Sequence, residues 1–308
     1  MRPLPPLSVR AAVILAGGEG SRLRDLTRQI AGHPTPKQFC AVIGDDCLLE
    51  QTRRRIAISV DDQHILTVVN RSHERFYRVP LANYPRAQLV VQPQARGTAT
   101  AIVYALMRAA RIAPAVSMAI FPADHYVDND AAFMRHVDAA FEAVEQRPEL
   151  TVLLGISPDR PEAGYGWIEP AQSVRLGRAQ FFTVRRFWEK PPQAVAQMLM
   201  RSGCLWNSFV MVGRVSTLLR LVITAQPLLY SSFAALRPVL ATELEESSVE
   251  TMYARLAPVD FSSDILARAP VNLTVLPVKG VDWSDLGEPA RVMDTLARVG
   301  TRPRWAAA

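Results

Sequence analysis

Short apolar runs punctuate the chain at residues 11–16, 65–70, 87–92, 116–121, 151–156 and 271–278. Runs of this kind, bounded by turn residues and continuous rather than alternating, read as strands buried on both faces of a parallel sheet. Between them lie stretches with helical spacing. Residues 48–59 read as a helix. After Gly97, the apolar residues Ile102, Val103, Leu106, Met107 and Ala110 share one face; after Asp130, placed to cap its helix, Phe133, Val137, Phe141 and Val144 do the same. Residues 218–256 read as helical, and 288–299 as a closing helix with Pro289 near its start and Gly300 past its end. Strands alternating with helices predict an α/β fold.

Composition narrows the function classes. The 308 residues, 49% of them hydrophobic, suffice for one large α/β domain or two modest ones. No stretch has the apolar length of a membrane span, and the start, Met1 to Pro6, has no apolar segment of a leader, so a cytoplasmic protein without a membrane partner is expected. Cys40, Cys47 and Cys204 lack a C-x-x-C spacing and are expected to be packing residues. The net charge of +6 comes from scattered arginines without a lysine-rich tail, which argues against nucleic acid; a small polyanionic substrate accounts for it as well as ordinary surface arginine does.

The densest chemistry follows the first run. Glycines at 17, 18 and 20 let the backbone turn tightly and bring N–H groups close to a ligand, the geometry of a phosphate-binding loop. A Walker loop needs Gly-Lys-Ser/Thr, where this chain has Gly20-Ser21-Arg22, and a dinucleotide fingerprint needs a small residue where Leu23 stands. What remains is a Gly-rich loop with a fixed cation, Arg22, and a second, Lys37, returned on a later turn. Such an arrangement suits the oxygens of a triphosphate.

Further polar residues stand at strand ends. Gln92 closes the 87–92 run, and Gly97-Thr98 opens the next helix, whose free N–H groups face a ligand in this reading; Asp124 and His125 follow the 116–121 run. His125 lacks a partner at metal-ligand spacing and reads as a structural or supporting residue. The stretch Gly164-Tyr165-Gly166-Trp167 sets flexible backbone beside aromatic faces, either a hairpin turn or a wall for a sugar ring. In Glu189-Lys190-Pro191-Pro192 the prolines break the strand, so the acid and the base turn into one cleft.

These residues carry a resemblance. Leu15-Ala16-Gly17-Gly18-Glu19-Gly20-Ser21-Arg22-Leu23 with Pro36-Lys37-Gln38-Phe39 resembles the signature of the sugar-phosphate nucleotidylyltransferases, and Pro-Lys-Gln-Phe that of their mannose-1-phosphate guanylyltransferase branch. Phe121 to His125, Glu189-Lys190-Pro191, Cys204 to Met211 and Trp283-Ser284-Asp285-Leu286-Gly287 resemble later segments of the family. The chain departs from the pattern at Arg24-Asp25, where Trp-Pro is usual, in a longer stretch between Arg22 and Lys37, at Gly97, where Asn is frequent, and at Phe209, where a Gly is usual.

The resemblance implies a Rossmann-like, GT-A-type α/β fold, with a mixed, mostly parallel central sheet and helices on both faces. One domain would span 1–300, its nucleotide-binding part at about 10–155 and its sugar-phosphate part at about 156–300, followed by a tail at 301–308 and no isomerase or β-helix domain. It implies transfer of a nucleotidyl group from an NTP, GTP favoured, to a sugar 1-phosphate, mannose 1-phosphate favoured, giving GDP-mannose and pyrophosphate. Arg22, Lys37, Asp124, Lys190 and Asp285 would be catalytic, with Mg²⁺ held by Asp124 and Asp285. Leu15, Gly17, Gly18, Gly20, Ser21, Arg22, Lys37, Gln92, Gly97 and Thr98 would contact the nucleotide, and Gly166, Glu189, Lys190 and Asn207 the sugar phosphate. The alternatives are a UTP- or dTTP-dependent glucose-1-phosphate enzyme and a non-catalytic regulatory paralogue that binds a nucleotide sugar. The sequence leaves the oligomeric state open, a homodimer included.

Overall fold

The computed structural model describes residues 9–300 together with 303 and 305. Its strands are β1 (Arg10–Leu15), β2 (Ile65–Asn70), β3 (Leu89–Gln92), β4 (Ser117–Pro122), β5 (Tyr126–Val127), β6 (Thr151–Ile156), β7 (Trp167–Leu176), β8 (Ala179–Trp188), β9 (Leu205–Arg214), β10 (Leu273–Val278) and β11 (Trp283–Ser284). Nine form one sheet in the order β3-β2-β1-β4-β9-β6-β10-β8-β7, and β5 pairs with β11 beside it. The first four in that order are mutually parallel, as are β6 and β10. Strand β9 enters antiparallel between β4 and β6, and β8 runs against both β10 and β7.

The continuous apolar runs are explained by burial on both sides. In β1, Ala11 and Val13 join the core on one face, while Ala12 and Ile14 join the core on the other. The first face is covered by the helices Gly97–Ile112, Val215–Ala225, Pro227–Ala234 and Glu245–Tyr253; the second by Leu48–Ile56, Asp130–Gln146 and Gln193–Arg201. A smaller cluster, with Leu23, Cys40, Leu286 and Val292 among its members, packs the Gly-rich loop against the closing helix Pro289–Val299.

Two local expectations are corrected. The helical stretch 218–256 is divided: Pro227 stands at the first turn of a new helix, and turns containing Pro238 separate that helix from the next. The cap of the 130–146 helix is Asn129, whose Oδ1 accepts from Ala132 N at 2.8 Å, while Asp130 pairs with Arg55. All three cysteines are free and buried, and burial pushes the thiols of Cys40 and Cys204 up to about 11 and that of Cys47 to about 12. No helix among the described residues is long and apolar enough to cross a membrane.

Candidate active site

A cavity of about 370 Å³ opens at the carboxyl ends of β1 and β4, where Leu15 and Pro122 line it. Open α/β sheets bind ligands at that edge. The Gly-rich loop forms one wall through Gly17 and Gly18. Its carbonyls are turned back into the protein: Gln38 Nε2 donates to Ala16 O at 2.9 Å and Gly18 O at 2.8 Å, and Asn70 Nδ2 donates to Gly17 O at 2.5 Å. Gly17 leaves room for the Gln92 amide: a Cβ there would lie 2.8 Å from Gln92 Nε2 and would displace it.

Gln92, Gly97 and Thr98 line the same cavity. Gln92 is fixed at both ends, donating to Asn70 Oδ1 at 3.2 Å and accepting from Tyr253 OH at 3.2 Å. Gly97 has a φ of 81°, and a Cβ on it would run into the Val259 carbonyl. The segment 259–261 closes over this helix start. Ala99 N donates to Val259 O at 3.1 Å, Thr98 Oγ1 donates to Asp260 Oδ2 at 3.0 Å, and Phe261 N donates to Thr98 Oγ1 at 2.8 Å. The helix terminus read as open is therefore partly occupied by the chain itself.

Asp124 and Asp285 both line the cavity, and Lys37 joins them from behind. Lys37 is 6% exposed; its ammonium lies 3.2 Å from Asp124 Oδ2, donates to Leu286 O at 3.1 Å, and also donates to Asp285 O. An ammonium has three donors, and all three are spent within the protein. Asp285 is held from the other side, its Oδ1 accepting from Arg291 Nε at 2.8 Å and from Gly287 N at 2.8 Å, and its Oδ2 from Arg291 Nη2 at 3.3 Å. Burial works to raise the Asp285 carboxyl, but Lys37 and Arg291, with smaller help from His125 and Gly287 N–H, together hold it below the usual range. Burial drives His125 down to about 4, so it is neutral at pH 7, its ring edge-on to Trp283 at 5.1 Å.

The described residues contain no group of three or more His, Cys, Asp or Glu able to hold a metal by themselves. The two carboxylates nevertheless suit Mg²⁺, a hard cation that takes one or two carboxylates and completes its shell with water and substrate phosphate. Asp285 keeps one lone pair, on Oδ2, beside its Arg291 fork and the Gly287 N–H.

The far wall holds Gly166, Glu189, Lys190 and Asn207. The turn after β8 puts Lys190 at a φ of 41°, and its Nζ lies 3.2 Å from Glu189 Oε1. Burial raises the Glu189 carboxyl above its ordinary range, with Lys190 pulling the other way. Asn207 N donates to Gly166 O at 2.8 Å, tying the Gly164–Gly166 loop to β9. Phe209 also lines the cavity and sits at a φ of 60°, left-handed backbone that a β-carbon disfavours, at a shift in the β6–β9 register.

Gly20, Ser21, Arg22 and Lys37 do not line the cavity. Arg22 is 54% exposed and pairs with Glu288 Oε1 at 3.4 Å. Sequence reasoning missed Gln38 and Asn70 as clamps of the loop, Arg291 as the partner of Asp285, and Ser262 in the cavity wall. Gln38 stood inside a singled-out motif, and Asn70 closes the 65–70 run as Gln92 closes its own; Arg291 and Ser262 had no signal beyond being polar.

A family model described as nucleotidyl transferase matches residues 11–300. The chain belongs to the nucleotidyl transferase family. It is 35% identical over 207 residues to the alginate biosynthesis protein AlgA of Pseudomonas aeruginosa, covering 66% of this chain and 41% of that one. It is 28% identical over 291 residues to mannose-1-phosphate guanylyltransferase 2 of Escherichia coli O157:H7, covering 90% and 58%. The chain spans about half the length of the curated relatives it matches. Among solved structures, mannose-1-phosphate geranyltransferase from Thermus thermophilus superposes with a TM-score of 0.78 at 28% identity, over 96% of this chain and 80% of that one. The nucleotidyl transferase assignment agrees with the Rossmann-like α/β sheet.

Proposed function

We propose that this protein transfers a nucleotidyl group from an NTP to a sugar 1-phosphate and releases pyrophosphate, with GTP and mannose 1-phosphate as the favoured pair. The observation that carries the reading is that one cavity gathers the Gly17-Gly18 loop, both aspartates and the Glu189-Lys190 turn. The names of the relatives support the choice of base and sugar.

The reaction needs no protein nucleophile, because a phosphate monoester is already ionised at pH 7. A sugar-phosphate oxygen attacks the α-phosphorus, the bond to the bridging oxygen breaks, and pyrophosphate leaves with the electron pair. The protein's work is positioning and charge neutralisation. Leu15, Gly17, Gly18, Gln92, Gly97 and Thr98 form the nucleotide wall, while Lys190 meets the attacking phosphate and Glu189 and Asn207 accept and donate to sugar hydroxyls. Arg22 serves the leaving phosphates after giving up Glu288. Asp124 and Asp285 would hold Mg²⁺, which when bound supplies Lewis-acid neutralisation of phosphate oxygens.

Phe209, whose ring lies 6.5 Å from that of Phe261, and the closure of Gly97 by Val259 both shape the cavity beside the 259–261 segment and favour, as a second reading, another base or another sugar in the same reaction. Engagement of Arg22 by Glu288 and of Lys37 by Asp124 is what a non-catalytic paralogue would also show. A pyrophosphate-release assay over four NTPs and several sugar 1-phosphates separates these readings. Turnover highest with GTP and mannose 1-phosphate supports the proposal, turnover with another pair selects the second reading, and binding without turnover selects the third.

A further inference from the structure

Arg291 is 4% exposed, yet its guanidinium touches two separate stretches of the chain, 162–165 and 285–288. Its Nε and Nη2 form the fork on Asp285, at 2.8 Å and 3.3 Å. Its Nη1 lies 3.4 Å from Glu162 Oε1, and that same oxygen accepts from Gly164 N at 2.9 Å. Its central carbon stands 4.9 Å from the centre of the Tyr165 ring. Nη1 also lies 3.7 Å from Glu288 Oε1, the acid that holds Arg22.

A buried cation needs acidic partners, and Asp285 alone supplies that need. The second acid, Glu162, instead anchors the loop whose Gly164, Tyr165 and Gly166 line the cavity. We infer that Arg291 is a positioning residue that sets the Asp285 carboxylate and the 162–166 loop at a fixed separation, so that the metal-side acid and the sugar-side wall are held by one planar group. The inference rests on the proposed nucleotidyl transfer for its kinetic consequence, but not for its structural one. Planarity matters: a guanidinium binds two acids through separate edges at once, whereas a lysine ammonium is a point charge on a flexible stem.

The test uses Arg291→Lys, Arg291→Met and Glu162→Gln in the full chain. Hydrogen exchange of the amides at 164–166 should accelerate about tenfold in all three, with the strands β1, β2 and β4 unchanged, because Glu162→Gln removes the acid of the anchor and either Arg291 variant removes the guanidinium that meets it. In the pyrophosphate assay, KM for the sugar 1-phosphate should rise about tenfold in Glu162→Gln while KM for the NTP moves less than twofold; Arg291→Lys, which also loosens the fork on Asp285, should lower kcat as well. Combining Glu162→Gln with Arg291→Lys should add little to either change. Exchange at 164–166 equal to wild type in all three single variants overturns the inference, as does a uniform rise in exchange across the sheet, which marks a merely structural role. Equal effects of Glu162→Gln on the two KM values overturn it too. If wild type shows no turnover with any substrate pair, the proposed function fails, and the exchange measurement still decides the role of Arg291.

Discussion

The Lys37 ammonium lies 3.2 Å from Asp124 Oδ2 and donates to the backbone carbonyls of Asp285 and Leu286, so one buried cation ties together two loops that are far apart in sequence. Expected to reach a triphosphate, Lys37 instead spends its donors on the walls that carry both aspartates. Replacing it removes the compensation for a largely buried carboxylate and leaves two carbonyls without a donor. Lys37→Met should cost about 3 kcal/mol of stability, read by urea unfolding, and lower activity with it. A variant as stable as wild type would show that the ammonium is not a pin.

Arg22 should behave in the opposite way. Its side chain is half exposed and its partner Glu288 is half exposed too, so the pair adds little to the fold. Arg22→Ala is expected to stay within about 0.5 kcal/mol of wild type in unfolding, yet to lower kcat/KM about 10- to 100-fold by removing one charge-assisted phosphate contact. Unchanged kcat/KM would take Arg22 out of the reaction.

Gly97 is constrained twice, by its φ of 81° and by the Val259 carbonyl, which occupies the place where a Cβ would stand. Backbone cannot retreat as a flexible side chain does. Gly97→Ala should therefore destabilise by more than about 2 kcal/mol, measured by thermal or urea unfolding. A neutral effect would mean that the 259–261 segment moves aside at little cost.

Glu189 offers a pH signature. Burial raises its carboxyl in the folded state above the unfolded value, with Lys190 opposing, so the folded protein disfavours the ionised form. The sign follows: stability falls as pH rises from the unfolded value through the raised folded one, and the penalty is complete above it. Glu189→Gln removes that penalty, so the variant should be at least as stable as wild type at pH 7, with the advantage vanishing below about pH 4. The same change should raise KM for the sugar 1-phosphate about tenfold and leave that for the NTP nearly unaltered, because Gln keeps the shape but loses the charged acceptor. A stability gain without a kinetic cost would move Glu189 out of the sugar pocket.

Much of the scaffold was legible. The runs at 65–70 and 151–156 became β2 and β6 without a change of boundary, since a strand buried on both faces declares itself by composition alone. The insertion of β9 between β4 and β6 was not legible, because periodicity fixes the type of an element and not its neighbours. The site divides along the same line. Gln92, Asp124, Glu189, Lys190, Asn207 and Asp285 meet in one cavity, as strand ends and broken strands are placed to do. The fate of Lys37 was hidden because its acceptors lie as far as 249 residues along the chain, and Arg22 meets Glu288 across 266 residues. Arg291 carried no local signal at all; only the folded chain brings Asp285 and Glu162 to its two edges.

The placement of β9 has a consequence for how this protein can be taken apart. Both sheet neighbours of β6, namely β9 and β10, come later in the chain, and β4 also borrows its second neighbour from β9. A fragment ending after Ile156 would carry β6 with no adjacent strand and β4 with a bare edge, an open template for association with other chains. Neither half is a unit that can be excised, swapped or grafted whole. Recombination with a relative that changes the sugar-side residues must therefore exchange side chains on a shared sheet, because among the described residues β9 and β10 cross the division between the two halves.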